Sequence, residues 1–121
     1  MPIRIQLSRK KGWRIPPNAM KVDRATLFGN PFAVIKGTVS GGPERLVKAT
    51  RYFVGDGGEF FVTKAEAQAR SVQRFRAWID HPANRKHREM CIVGCRGKDL
   101  ACWCKPDEPC HGDILIELAN R

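Results

Sequence analysis

Ile3, Ile5 and Leu7 alternate with polar residues, which is the two-residue period of a half-buried strand. "MKVD" (Met20 to Asp23) predicts a second short strand. In the following "RATLFGNPF", Gly29, Asn30 and Pro31 enforce a turn, since Gly and Asn tolerate positive φ and Pro31 fixes its own. Phe32 to Val39 is again extended and apolar, and residues 45–54, "RLVKATRYFV", form a run rich in β-formers. These two runs are expected to pair as a hairpin across "SGG". "GDGG" closes the second strand, and "EFFV" adds a brief extended piece.

From Thr63 the period changes. "TKAE" reads as a capping box, with Thr63 as N-cap and Glu66 three residues on. Ala65, Ala69, Val72, Phe75, Trp78 and Ile79 recur at helical spacing as one apolar stripe, while Arg70, Arg74 and Arg76 lie off it. His81-Pro82 stops this helix. A weaker helix is expected over residues 83–93, ending near Gly94. "KDLACWC" is the next strand: Leu100, Cys102 and Cys104 should face one side, Ala101 and Trp103 the other. "KPDEP" turns the chain into a last helix, "CHGDILIELAN", with Asp107 or Glu108 as its cap and Pro109 at its first position. Residues 1–121 are therefore expected to form a single α/β domain: a small mixed β-sheet with two or three helices, the C-terminal helix following the "LACWC" strand.

Charge changes this picture. Lys and Arg total 22 against 12 acidic residues, a net charge of +10. Such a surplus favours polyanionic partners: nucleic acid, nucleotides or an acidic protein. No stretch approaches the ~18 apolar residues of a membrane helix, and "MPIRIQLSRKKGW" has no apolar core of a secretory leader. Five cysteines are an odd number, four of them between Cys91 and Cys104, which makes a poor disulfide framework. A reducing, cytoplasmic location is the expectation.

The chemistry concentrates in "ACWCKPDEPCH" (Ala101 to His111). Strand, turn and helix would bring Cys102, Cys104, Cys110 and His111 to one sheet edge, where functional groups of α/β folds collect. Three readings remain open. The four side chains have the ligand types of a Cys3His zinc site, although C-x-C and an adjacent Cys-His are not the usual knuckle spacing. Alternatively, Cys110 is a thiol activated by a helix N-terminus and nearby cations, with His111 as its acid or base. The plainer alternative is that these cysteines are small buried hydrophobes, as Cys91 and Cys95 are expected to be.

"GNPF", followed by "RGKDLACWCKPDEPCHGDILIELAN", resembles a family of short proteins known as a domain of unknown function, number 4326. The likeness extends to "IQLSRKKGWRIPPNAMKVDRATLFGNPF" and "GEFFVTKAEAQARSVQRFRAWI", so it covers most of the chain. It implies a protein of a type widespread in phage and bacterial genomes. It also marks Arg24, Gly29 to Phe32 and the "CWC…CHGD" block as characteristic positions. Leu27-Phe28 and Asp23 depart from the aromatic-Gly and the Gly more usual in that loop.

Two further groups are candidates. Arg24 with Gly29 and Asn30 is suited to holding a phosphate through guanidinium and backbone N–H groups, although a tight turn needs no ligand. Trp13 and Arg14, within the basic run from Arg9, combine charge with a ring that stacks on a base; Arg85, Lys86, His87 and Arg88 form a second basic run. Both runs are equally compatible with a solvated surface. The leading expectation is a small basic, phage-type accessory protein that binds nucleic acid or a nucleotide-like anion and has a zinc-stabilised Cys/His cluster. The alternatives are a Cys110/His111-dependent enzyme acting on a nucleotide or nucleic acid, and a phage factor that binds a host protein.

Overall fold

The computed structural model describes residues 2–41, 47–55 and 58–121. Six strands, β1 (Arg4–Gln6), β2 (Ala19–Lys21), β3 (Val34–Gly41), β4 (Val47–Val54), β5 (Glu59–Phe61) and β6 (Asp99–Cys102), combine with three helices, α1 (Lys64–Asp80), α2 (Arg85–Cys95) and α3 (His111–Ala119). The α/β class holds, with the strands divided between two three-stranded sheets. One is parallel in the order β1-β6-β2; the other is antiparallel in the order β3-β4-β5.

β6 is central because both its faces are apolar: Leu100, Ala101 and Cys102 are all buried, as a strand covered on both sides requires. Arg4 and Met20 flank Leu100 in register from the two neighbouring strands. The expected hairpin forms with Val34 opposite Val54 and Gly41 opposite Val47. Its tip, residues 42–46, and the "DG" at 56–57 lie outside the described residues.

Thr63 caps α1 as expected, its hydroxyl accepting from the Glu66 N–H at 3.2 Å. The buried face is rotated from the predicted stripe. Phe75 and Ile79 are on it, but Ala67 and Ser71 complete it, while Ala65 and Ala69 are exposed and Val72 and Trp78 half-buried. Helical periodicity counts only apolar positions; Ser71 is tolerated inside because Asn30 and the Phe32 carbonyl hydrogen-bond it. The second helix spans Arg85–Cys95 after a 3-10 turn at Pro82–Asn84.

The cap of α3 is Cys110, not Asp107 or Glu108, and Pro109 precedes the cap. Glu108 is committed elsewhere. It accepts from the Lys105 N–H at 2.7 Å and from Gln68 at 2.9 Å, closing the "KPDEP" turn and tying it to α1. These hydrogen bonds, that from Lys105 first, hold its carboxyl below the usual range.

The core gathers Val22, Phe75, Ile79, Leu100, Leu115 and Leu118 with four cysteines, Cys91, Cys95, Cys102 and Cys110. All five cysteines are free. Among the described residues, no helix is long and apolar enough to cross a membrane.

Burial pushes the Cys91 thiol up to about 11 and, with Cys91 adding to burial, the Cys95 thiol up to about 12. Unfolded thiols ionise near ~8.5. Below that pH the stability from these neutral thiols is fully present; above it the unfolded chain releases protons that the folded one keeps. Melting temperature should therefore fall as pH rises from about 8.5 towards 11. Cys95→Val should flatten that fall in a pH series of thermal melts; an unchanged slope would rule out this linkage.

Candidate metal centre and cleft

β6 delivers Cys102 at its last position, Cys104 follows in the turn, and Cys110 and His111 open α3. The turn that aligns them is clamped from β1. Arg4 Nη2 donates to the Lys105 and Pro106 carbonyls at 3.2 and 2.7 Å, and Arg4 Nε lies 3.5 Å from Asp113 Oδ1.

His111 is buried, its ring edge-on to Phe75 with centroids 5.2 Å apart. Its Nε2 lies 2.7 Å from the Val22 carbonyl and 3.0 Å from the Phe28 carbonyl. Carbonyls only accept, so Nε2 carries a proton, and Nδ1 is the nitrogen left facing the cysteines. Nδ1 lies 3.8 Å from Cys110 Sγ. Donor atoms of Cys102, Cys110 and His111 all lie within 4.8 Å of one another, a group that could hold a metal ion. Cys104 lies outside this group, its sulfur 3.9 Å from that of Cys102.

Three thiols in one buried patch do not ionise alike. Hydrogen bonds from Cys102 first, then Cys104, and the adjacent His111 hold the Cys110 thiol far below its ordinary range. Cys104 is pushed far up by its bonds to Cys102 and Cys110 and by burial. Cys102 is drawn down by Cys104, but its bond to Cys110 and burial outweigh this and raise it. The Cys110 thiol is thus the one most readily ionised, and its charge attracts the Arg4 guanidinium. The side chain of Arg4 is only 9% exposed, and its Nη1 is buried without a protein partner.

A cleft of about 440 Å³ opens on the cluster, lined by all four Cys/His residues together with Arg24, Lys64 and Asp23. Asp23 Oδ2 accepts from the indole N–H of Trp103 at 3.0 Å, while Oδ1 is buried without a protein partner. Trp103 is 40% exposed, and the Arg9 guanidinium stacks 4.3 Å from its ring centroid.

The front-loop candidates divide. Arg24 is exposed and lines the cleft. Asn30 also lines it, but its hydrogen bonds go inward, Nδ2 to Ser71 Oγ at 2.9 Å and Oδ1 from the Phe32 N–H at 2.8 Å. A Cβ on Gly29 would lie 2.6 Å from Arg24 Cα and 2.7 Å from the Asp23 carbonyl oxygen, so the backbone passes where a side chain would be. This close fold of the loop places the Phe28 carbonyl on His111. Trp13 and Arg14 lie between β1 and β2, away from the cleft lining. In the second basic run, Arg85 pairs with Glu89, Arg88 with Asp80, and His87 packs on Trp78.

Arg4, Asp23 and Trp103 escaped the sequence reading. Arg4 occupies a polar position of an alternating strand, and its partner turn is some hundred residues away. The signal for Trp103 was present: an aromatic between two cysteines at the end of a buried strand.

Fold and site thus define a small α/β protein in which the end of a parallel sheet carries a cysteine–histidine cluster under a cleft. The chain belongs to the family described as Domain of unknown function (DUF4326), whose model matches residues 5–121. No curated protein and no solved structure matches it.

Gly29→Ala should destabilise the protein by about 1–3 kcal/mol, because the new methyl meets backbone rather than a movable side chain. Urea unfolding measures this; a shift within ~0.5 kcal/mol, the ordinary range for a surface change, would refute the close-approach argument.

Proposed function

We propose that the chain is a small zinc-stabilised module that binds a nucleotide-like anion in the cleft, with Cys102, Cys104, Cys110 and His111 as the zinc ligands. The observation that carries this reading is the spacing of the donors. Ligands of a tetrahedral zinc with Zn–S of about 2.3 Å lie about 3.8 Å apart; Cys110 and His111 stand at 3.8 Å in the group that Cys102 completes, and Cys104, outside that group and 3.9 Å from Cys102, would have to close in as the fourth ligand. His111 also has the outer contact typical of a metal-bound imidazole, its remote N–H held by backbone carbonyls. Three thiolates and an imidazole around Zn2+ carry a net single negative charge, which the buried Arg4 offsets. The anion site is supported by Arg24, exposed on the cleft, within a chain of net charge +10; Lys64, also on the cleft, is paired with Glu108 at 3.5 Å.

A second reading uses the same sulfur. Cys110 is favoured as a thiolate, lines an open cleft, and has His111 Nδ1 beside it. In the absence of metal this is the arrangement of a nucleophile with an adjacent base.

Metal analysis separates the two. Protein purified reduced, without chelator or a metal-binding tag, should contain about one zinc per chain. Cys102→Ser and His111→Gln should each abolish it, and chelation should lower the melting temperature. Metal-free wild-type protein with one rapidly alkylated thiol at Cys110 would instead favour the nucleophile. Arg24→Ala should weaken binding of a nucleoside triphosphate about tenfold, with no change in melting temperature; equal affinity would retire the anion site.

A further inference from the structure

The antiparallel sheet has two very different faces. Val54, fully buried, is in register with Val34 and Glu59, and these side chains share the face covered by α1. Arg70 of α1 pairs there with Glu59 at 3.0 Å, and Arg74 donates to the Val54 carbonyl. One residue along each strand the side chains point the other way. Ile35, Phe53 and Phe60 then form a row straight across the three strands.

This row is open. Ile35 is 53% and Phe60 50% exposed, and the Phe53 and Phe60 rings stand 5.5 Å apart at 50°. Gly37 shares the face, and a Cβ there would come within 2.8 Å of Phe53 Cε2, so the Phe53 ring lies down across the β3 backbone. The result is a low aromatic surface rather than a knob. Arg51 stands on the same face, opposite Gly37, and among the described residues its guanidinium bonds only the neighbouring Thr50 carbonyl at 2.8 Å. Among the described residues this face carries no carboxylate.

We propose that the Ile35–Phe53–Phe60 face is a stacking platform for single-stranded nucleic acid. Bases offer a π-face to any ring, which suits Phe53 and Phe60, and the connecting phosphates suit Arg51. Charge decides between this occupant and a second copy of the chain. Two copies at +10 each would have to stack against their own repulsion, whereas a polyanion is drawn in by the same charge. None of the platform residues lines the cleft, so the inference stands apart from the zinc and anion reading.

The test is fluorescence anisotropy on the full chain with a labelled thymidine 15-mer over a range of salt. Phe60→Leu keeps apolar bulk and removes the π-face; it should weaken binding about tenfold while the circular dichroism spectrum is unchanged. Arg51→Gln should reduce the salt slope by about 0.7, the loss of one phosphate contact. Absence of strand binding by the wild-type protein, or wild-type affinity in Phe60→Leu, would overturn the platform. So would a dimer in sedimentation velocity that Phe60→Leu dissolves, which would make the occupant a second copy. Zinc content and triphosphate binding should not respond to Phe60→Leu, so the two readings fail separately.

Discussion

One buried N–H holds the two halves of this molecule in place. His111 Nε2 lies within hydrogen-bonding distance of two carbonyls, from Val22 at the end of β2 and from Phe28 in the front loop. A buried imidazole needs its donor satisfied, and satisfying it here fixes the tautomer, the ring orientation and the path of the loop together. Gly29 has no side chain because the loop must fold back on Asp23 and Arg24 to bring the Phe28 carbonyl inward. Asn30 then locks the exit of the loop to Ser71 of α1. The "GNPF" and "CH" motifs, over eighty residues apart, are thus two sides of one contact.

The opposite nitrogen inherits the consequences. With Nε2 committed as donor, Nδ1 is left facing Cys110, the sulfur favoured as thiolate. Burying a thiolate alone is costly. Here the neighbouring Cys102 and Cys104 thiols and the Arg4 guanidinium from β1 favour the charged form. Arg4 is itself too buried to stand without an anion, and the pairing with Cys110 and Asp113 answers that need. Zinc and nucleophilic readings both draw on this arrangement, because each requires a sulfur that has already lost its proton.

How much of this was legible in the sequence follows from the range of the interactions. The Thr63 cap, the His81-Pro82 stop and the grouping of Cys102, Cys110 and His111 are local patterns that reappear in the fold, whereas the first strand departs from its alternation, with Ile3 57% exposed and the Arg4 side chain 9%. The face of α1 was misjudged because Ser71 is buried for a bond to residue 30, which helical periodicity does not register. The α3 cap was misplaced because Asp107 and Glu108 are better intrinsic caps than cysteine, while Glu108 is drawn off by Lys105 and Gln68. Arg4 was invisible for the same reason on a larger scale: its partners lie on a turn at the other end of the chain. The aromatic row on the antiparallel sheet needed the strand register, which no single strand specifies.

Cysteine at the cap of α3 is also what couples helix to site. A neutral thiol is a weak acceptor, and the Gly112 N–H reaches Cys110 Sγ at only 3.5 Å. A charged sulfur at that position is a better cap and lies at the positive end of the helix dipole, which favours it further. Helix α3 therefore starts most firmly when Cys110 is ionised or bound to metal. The other end of the helix packs Leu115, Leu118 and Ala119 into the core beside Cys95. Cys110 thus sits where the helix cap and the cleft meet, whereas burial raises the Cys91 and Cys95 thiols and they serve as core.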